Sequence, residues 1–221
     1  MYNHFDYCIL VNSKDKELLK KDIHIPLKVV PNGVDTVYFG NENDYGEVKL
    51  VFLGDMSTPP NNDAVKYFIE NIYPQVLDEE NIKFYIVGRN PSNYIQSLHN
   101  NSNIIVTGPV EDVRKYMDRN TIFITPMISG TGIKNKILEA MSMKLAVVST
   151  STGISGIEAE DSINYLLADD EERFKDCIIK LVHDEKLRKR LGDNARSLVE
   201  DKYSWKKSMD IIDKLMIELI S

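Results

Sequence analysis

Residues 121–150, TIFITPMISGTGIKNKILEAMSMKLAVVST, decide the fold of this 221-residue chain. Residues 122–124 are a short run of large apolar side chains, which is typical of buried strands, and Pro126 ends it. A glycine-rich loop follows. The apolar spacing after that loop predicts a helix over 132–143 and a second strand over 145–149. The stretch therefore predicts a strand–loop–helix–strand unit.

The loop and helix of this unit carry residues suited to a phosphate-containing ligand. The start of a helix attracts phosphate through its unpaired N–H groups and its dipole. Lys134 and Lys136 add positive charge there, and Glu139, one turn deeper, can accept hydrogen bonds from sugar hydroxyls. The loop residues expected to contact the ligand are Gly130, Thr131 and Gly132. Together these residues predict a nucleotide site.

The rest of the chain continues the alternation of short apolar runs with amphipathic segments. We expect strands at 5–12, 27–30, 50–53, 83–87, 104–106, 122–125, 145–149 and 165–167, and helices at 14–21, 63–76, 92–99, 110–117, 132–143 and from 170 onward. This order predicts an α/β fold, a Rossmann-like parallel sheet with helices on both faces. In such sheets ligands bind at the carboxyl ends of the strands, which the glycine-containing motifs follow.

Composition narrows the function classes. The formal charge of −7 argues against a general nucleic-acid-binding protein, which needs a basic face. The two cysteines, Cys8 and Cys177, are far apart and fit free thiols in a reducing compartment. The sequence has no apolar run long enough for a membrane helix, and residues 1–6 lack a signal-peptide pattern. We therefore expect a cytoplasmic protein, with a peripheral position at the inner membrane face, through a partner or a missing segment, as the alternative.

Several motifs resemble glycosyltransferase family 4, also called glycosyl transferases group 1. Residues 136–150, KILEAMSMKLAVVST, resemble the donor-binding signature of that family. Further motifs follow in family order: VPNGVD at 30–35, LGDM at 53–56, PNNDAV at 60–65, IVGRNP at 86–91, TGPVEDV at 107–113 and EDKYSW at 200–205. Each motif alone is weak, and the ordered set carries the resemblance.

The resemblance implies the donor-binding, C-terminal half of a two-domain GT-B enzyme. Residues 1–38 are then a remnant of the N-terminal domain with the interdomain linker, residues 39–203 a nucleotide-sugar-binding domain, and residues 204–221 a crossover helix. The implied activity is transfer of a sugar from a nucleoside-diphosphate sugar to an acceptor, with retention of configuration, in glycan or polysaccharide biosynthesis. A glycan or lipid-linked acceptor would bind the missing N-terminal domain, so we expect this chain alone to turn over poorly.

The resemblance also implies roles for individual residues. Glu139 would hold the ribose hydroxyls, and the alternative is an ion pair with Lys136 three residues earlier. Lys134 and Lys136 would stabilise the departing diphosphate, unless they are solvated helix lysines. Further donor contacts are expected from Gly54, Asn61, Arg89, Val110 and Val113. Asn61 has the alternative role of capping the helix predicted at 63–76, and Arg89 that of a surface arginine.

Two positions depart from the family pattern. Thr131 stands where family members commonly carry a second glutamate, usually assigned to the transferred sugar. Asp55 stands where many relatives have an arginine that meets the diphosphate. Other residues must then neutralise the phosphate charge, which makes this role for Lys134 and Lys136 more important.

Other signals are weak. The four histidines lack metal-ligand spacing, and no Asp-x-Asp motif is present. We therefore expect neither a metal nor a cofactor besides the nucleotide-sugar substrate, as is usual in the GT-B class. Asn135 replaces the third glycine of a GxGxxG pattern, which argues against a dinucleotide oxidoreductase.

Two other functions stay open. One is a non-catalytic nucleotide-sugar-binding module completed by a separate N-terminal half, and the other is a nucleotide-sugar epimerase on the same fold. Residues 206–220 carry an apolar stripe. It predicts either packing on residues 1–30 or self-association.

Overall fold

The structure, a computed structural model, describes residues 5–40, 46–99 and 102–220. The remaining residues of the predicted domains lie outside these ranges. Within them, the chain forms a two-stranded sheet, a six-stranded sheet and the helices around both.

The smaller sheet comes from the beginning of the chain. Strand β1 (Cys8–Leu10) pairs in parallel with β2 (Leu27–Val29), and helix α1 (Ser13–Leu19) connects them. The side chain of Asn12 accepts a hydrogen bond from the backbone N–H of Asp15, so Asn12 caps α1.

The larger sheet has the predicted architecture. Its strands are β3 (Lys49–Leu53), β4 (Lys83–Val87), β5 (Ile104–Gly108), β6 (Thr121–Thr125), β7 (Ala146–Ser149) and β8 (Leu166–Leu167). They lie in the order β5-β4-β3-β6-β7-β8, and every pairing is parallel. Because all carboxyl ends meet at one edge, the loops that follow the strands converge there. The predicted fold class is confirmed.

Helices cover both faces of this sheet. They are α2 (Pro59–Tyr67), α3 (Tyr73–Glu79), α4 (Asn93–Leu98), α5 (Asn135–Ser142), α6 (Ser151–Ile154), α7 (Glu171–His183), α8 (Glu185–Lys202) and α9 (Trp205–Ile220). A π-helical segment, Phe68–Ile72, joins α2 to α3, and a 3₁₀ segment, Val113–Tyr116, follows β5.

Alternate residues of β3 show how the two faces are filled. Leu50 and Phe52 belong to one apolar cluster, with side chains from α2, α4 and α7. Val51 and Leu53 belong to a second cluster, with side chains from α5 and α8. Successive strand residues point to opposite faces, so a central strand buried on both sides is apolar throughout.

Three predicted helices differ clearly in their bounds. The helix predicted at 110–117 is only the 3₁₀ segment Val113–Tyr116, and α2 and α5 begin at other residues. Helix α2 starts at Pro59 rather than residue 63, because proline is favoured at the first helical positions, where its missing N–H costs nothing. Helix α5 starts at Asn135 rather than residue 132, because Gly130 and Gly132 adopt left-handed φ angles of 105° and 74°.

Helix α9 packs on the beginning of the chain, one of the two arrangements predicted for it. The hydroxyl of Ser208 donates to the carbonyl of Pro31 over 2.8 Å, Leu215 is buried, and Tyr7 donates to Glu218. Much of the apolar stripe stays exposed, including Met216. In residues 5–40, 46–99 and 102–220, no helix combines the length and hydropathy needed to span a membrane.

Candidate functional site

A cavity of about 390 Å³ opens at the carboxyl ends of β3, β4 and β5, against helix α5. It brings together residues from four separate parts of the chain. They are Leu53 at the end of β3 with Gly54 and Asp55 after it, Gly88 and Arg89 after β4, Pro109, Val110 and Val113 after β5, and Lys136 and Glu139 on α5. Six of the predicted site residues therefore line one cavity: Gly54, Arg89, Val110, Val113, Lys136 and Glu139.

Two glycines allow the strand ends to approach closely at the floor of this cavity. Gly88 has a φ of 139°, and a Cβ atom there would lie 1.8 Å from the carbonyl oxygen of Gly54. The backbone N–H of Gly54 donates to the carbonyl of Val87 over 3.0 Å. This contact places the loop after β3 beside the loop after β4.

Asp55 and Arg89 form an ion pair across these two loops. The Nε atom of Arg89 lies 2.7 Å from Oδ2 of Asp55. Hydrogen bonds from Ser57 and Asn90 and from Arg89 hold the pKa of the Asp55 carboxyl well below its usual range. Since the guanidinium side chain is 71% exposed, it keeps donors free for a ligand. Asp55, which stands where many relatives have an arginine, thus holds the side chain of Arg89 in place.

The ammonium group of Lys136 lies among neutral partners. Its Nζ atom donates to Oδ1 of Asn61 over 2.7 Å, lies 3.9 Å from the centroid of the Phe52 ring and 3.9 Å from the sulfur of Met127. Burial lowers the pKa of Lys136 to about 7, and repulsion from Lys134 acts in the same direction. The side chain is a partly desolvated cation at the wall of the cavity.

Asn61 does not cap a helix, so that alternative was wrong. It lies within the first turn of α2, whose N-cap is Thr58. Its Nδ2 atom donates to the backbone carbonyl of Asp55 over 2.9 Å, while its Oδ1 accepts from Lys136.

Glu139 lies one turn beyond Lys136 on the same face of α5, where residues three apart are neighbours. Burial raises the pKa of its carboxyl group, and the charge of Lys136 acts in the opposite direction. Within the described ranges, no hydrogen bond or ion pair holds this carboxylate, so the predicted alternative of an ion pair with Lys136 is not formed. A half-buried carboxylate with unused acceptors thus faces the cavity.

Lys134 is directed away from this cavity. Its Nζ atom donates to the carbonyls of Gly132 and Thr152 at 2.9 and 3.0 Å, and to that of Gly130 at 3.4 Å. These bonds close the glycine-rich loop on itself, and burial lowers the pKa of the lysine. Lys134 is the N-cap residue of α5 and has an extended backbone, whereas Lys136 lies in the first helical turn, so the two side chains separate.

The loop residues Gly130, Thr131 and Gly132 line a second cavity of about 290 Å³, opposite Asn12 and Asp15. A Cβ atom on Gly130 would lie 3.4 Å from Pro60, so this second cavity adjoins the α2 N-terminus beside Asn61. The structure therefore divides the predicted site between two adjacent cavities. The described part of the chain holds no group of three or more His, Cys, Asp or Glu side chains placed to bind a metal ion.

Sequence reasoning missed four contributors to the site: Phe52 and Met127 around Lys136, and Leu53 and Gly88 on the cavity wall. Gly88 directly follows a strand, and a glycine there signals a close backbone approach. Phe52 and Met127 have the pattern of ordinary core residues and give no such signal.

The chain has a parallel α/β sheet with a cavity at its strand ends, where ligands bind in folds of this class. The chain belongs to the Glycosyl transferases group 1 family, whose sequence profile matches residues 47–184.

Relatives extend this assignment over nearly the whole chain. An uncharacterized 44.6 kDa protein in the cps region of Klebsiella pneumoniae is 27% identical, over 95% of this chain and 56% of its own length. The UDP-Gal:alpha-D-GlcNAc-diphosphoundecaprenol alpha-1,3-galactosyltransferase of Escherichia coli is 25% identical, over 96% of this chain and 60% of its own length. The chain thus spans 56–60% of the length of these curated relatives.

Solved structures share the fold. HepE of Anabaena, crystallised with UDP, superposes with a TM-score of 0.77 over 97% of this chain and 65% of its own, at 15% identity. This likeness supports the α/β fold described above.

Proposed function

We propose that this chain is the nucleotide-sugar-binding part of a glycosyltransferase. One observation carries the proposal: Lys136 and Glu139, on one face of α5, share a strand-end cavity with Arg89. Cations suit a diphosphate and a carboxylate suits vicinal hydroxyl groups, so the cavity has groups for both halves of a nucleoside diphosphate. We also propose that this glycosyltransferase belongs to family 4, as the motifs in the sequence suggest.

Different residues of the cavity bind different parts of the ligand. The ammonium of Lys136 and the guanidinium of Arg89 bind the diphosphate, and Glu139 accepts hydrogen bonds from the ribose hydroxyls. Val110 and Val113, with Pro109, pack against the base. Gly54 lines the cavity at the end of β3.

In the transfer reaction, the bond between the sugar C1 and the diphosphate oxygen breaks, and its electron pair stays on the diphosphate. An acceptor hydroxyl forms the new bond to C1, and its proton passes to the departing diphosphate. Lys136 and Arg89 stabilise the negative charge that grows on the departing diphosphate. Lys134 contributes indirectly, because it holds the loop that separates the two cavities. The transferred sugar extends past this loop toward Thr131.

The acceptor, the stereochemical outcome and the pathway belong to the whole protein. This chain spans little more than half of its relatives, so we assign acceptor binding to a further domain. The Escherichia coli relative acts on a sugar linked to diphosphoundecaprenol, and the Klebsiella relative lies in a cps region. We therefore propose a lipid-linked acceptor in polysaccharide assembly, retention of configuration, and a cytoplasmic location at the inner membrane face. A named galactosyltransferase among the relatives favours transfer over epimerisation or a non-catalytic role.

Calorimetric titration with UDP, 2′-deoxy-UDP, GDP and ADP tests the proposal. UDP is the first candidate because HepE was crystallised with it. We expect one ribonucleotide to bind selectively, and its 2′-deoxy analogue to bind about tenfold more weakly, since a hydrogen bond to a charged group is lost. The variant Glu139→Gln should bind both analogues equally and weakly.

Glu172→Gln is the matched control, because this glutamate is exposed on α7. It should bind like the wild type. Binding of no nucleotide, or an unchanged preference for the ribonucleotide in Glu139→Gln, would refute the proposed role of the cavity.

A further inference from the structure

We propose that Asn61 is a positioning residue: it holds the ammonium of Lys136 toward the cavity and, through Asp55, couples that ammonium to the guanidinium of Arg89. The proposal rests on the proposed function for its diphosphate ligand. The hydrogen-bonded connection itself is a feature of the structure without ligand.

Asn61 supplies the one oxygen that accepts a hydrogen bond from Lys136 within the described residues. The other contacts of the ammonium are the Phe52 ring and the Met127 sulfur, and neither fixes an N–H direction as an oxygen does. A lysine side chain has several rotatable bonds, and ordering it costs free energy. Without Asn61, the ammonium would lose its directional anchor.

The orientation of the Asn61 side chain is determined by its partners. Lysine can only donate and a backbone carbonyl can only accept, so Oδ1 must face Lys136 and Nδ2 must face the carbonyl of Asp55. The absence of a side chain at Gly54 leaves room for the amide, since a Cβ atom there would lie 2.7 Å from Nδ2. The amide is therefore locked between the lysine and the loop.

Asp55 joins the two cations. Its backbone carbonyl accepts from Asn61, and its carboxylate accepts from Nε of Arg89. The connection Lys136–Asn61–Asp55–Arg89 thus runs along the cavity and sets the separation of two cationic groups. Such preorganisation lowers the ordering cost when a diphosphate binds both.

The charge of Lys136 gives a readout of this contact that does not need a ligand. The charged groups that act on its pKa are Lys134, at the N-cap of α5, and Glu139 within the helix. Asp55 and Arg89 line the same cavity from the loops after β3 and β4. The Asn61 oxygen favours the charged form of the lysine. Asn61→Ala should lower the pKa of Lys136 by about one pH unit, and Asn61→Asp should raise it. General structural damage would not move the pKa in opposite directions.

The experiment combines two measurements on wild type, Asn61→Ala and Asn61→Asp. The first is an NMR titration of ¹³C-labelled lysine side chains, with the Lys136 signal assigned from Lys136→Arg. The second is calorimetry with UDP and with uridine at pH 7. For Asn61→Ala we expect UDP affinity to fall about tenfold while uridine affinity stays unchanged, because uridine has no phosphate. The exposed Asn71→Ala is the matched control and should change neither measurement.

An unchanged Lys136 pKa in both variants would overturn the positioning role. An equal loss of UDP and uridine affinity would overturn it as well, because it would indicate a general disruption of the cavity. If wild type binds neither compound while the pKa moves as expected, the proposed function and the diphosphate assignment fail, and the coupling of Asn61 to Lys136 stands.

Discussion

Replacing Lys136 with methionine should stabilise the protein while removing its affinity for a nucleoside diphosphate. Methionine has a similar length and no charge, so it can occupy the same space between the Phe52 ring and Met127. The reason for the stabilisation is that the folded state holds a cation in a partly desolvated position without a carboxylate partner in the described residues.

The size of this effect follows from the pKa of Lys136. Its ordinary value is 10.5, and burial lowers it to about 7 in the folded state. At 1.36 kcal/mol for each pH unit, the charged form costs up to about 5 kcal/mol. Methionine forfeits the hydrogen bond to Asn61 and leaves its amide oxygen without that donor, which costs about 1–3 kcal/mol. The net gain for Lys136→Met at pH 6 is therefore about 2–4 kcal/mol.

The dependence on pH has a definite sign. Below pH 7 the lysine is charged in both the folded and unfolded states, so the wild type bears the full cost. Between about pH 7 and 10.5 the unfolded state binds the proton and the folded state does not, so wild-type stability rises with pH. The advantage of Lys136→Met should shrink by about 1.4 kcal/mol per pH unit in that window.

Urea unfolding at pH 6, 7.5 and 9 measures the free energy of unfolding of both proteins. Lys206→Met is the matched control, since Lys206 is exposed on α9 and should follow the wild type. Calorimetry on the same samples should show loss of UDP binding in Lys136→Met alone. A variant less stable than wild type at pH 6, or a gap that stays constant with pH, would refute the reasoning.

Two further substitutions test the framework around the site. Gly88→Ala should destabilise the fold by about 3 kcal/mol or more and weaken UDP binding, because the added methyl group would overlap the carbonyl of Gly54 at a left-handed φ. Thermal unfolding measures the loss of stability. The control is Gly108→Ala, whose added methyl group would meet no atom within 4 Å, so this variant should lose clearly less stability. Tyr73→Phe should lose about 1–3 kcal/mol of stability, because the one proton of the buried hydroxyl is shared between two backbone carbonyls at 2.7 and 2.9 Å. Tyr94→Phe, at an exposed position, is its control in urea unfolding, and equal losses in the two variants would contradict this account.

The order of strands and helices was largely determined by local sequence. Apolar runs such as 83–87 and 122–125 are too short and too uniformly apolar for surface helices, so they indicate buried parallel strands, and the structure contains them. The grouping of Lys136 with Glu139 was also visible locally, because residues three apart share a helix face. From a parallel sheet it follows that the loops after the strands meet at one edge.

Only the tertiary structure decided which partners these side chains have. Asn61 lies 75 residues from Lys136, and Asp55 lies 34 residues from Arg89, so no local periodicity connects them. The sequence grouped Lys134 with Lys136, whereas the fold gives Lys134 three backbone carbonyls and leaves Lys136 at the cavity. Secondary structure follows from interactions between near neighbours in the chain. The charge state and direction of a buried side chain depend on desolvation and on groups brought close by packing, which only the folded chain specifies.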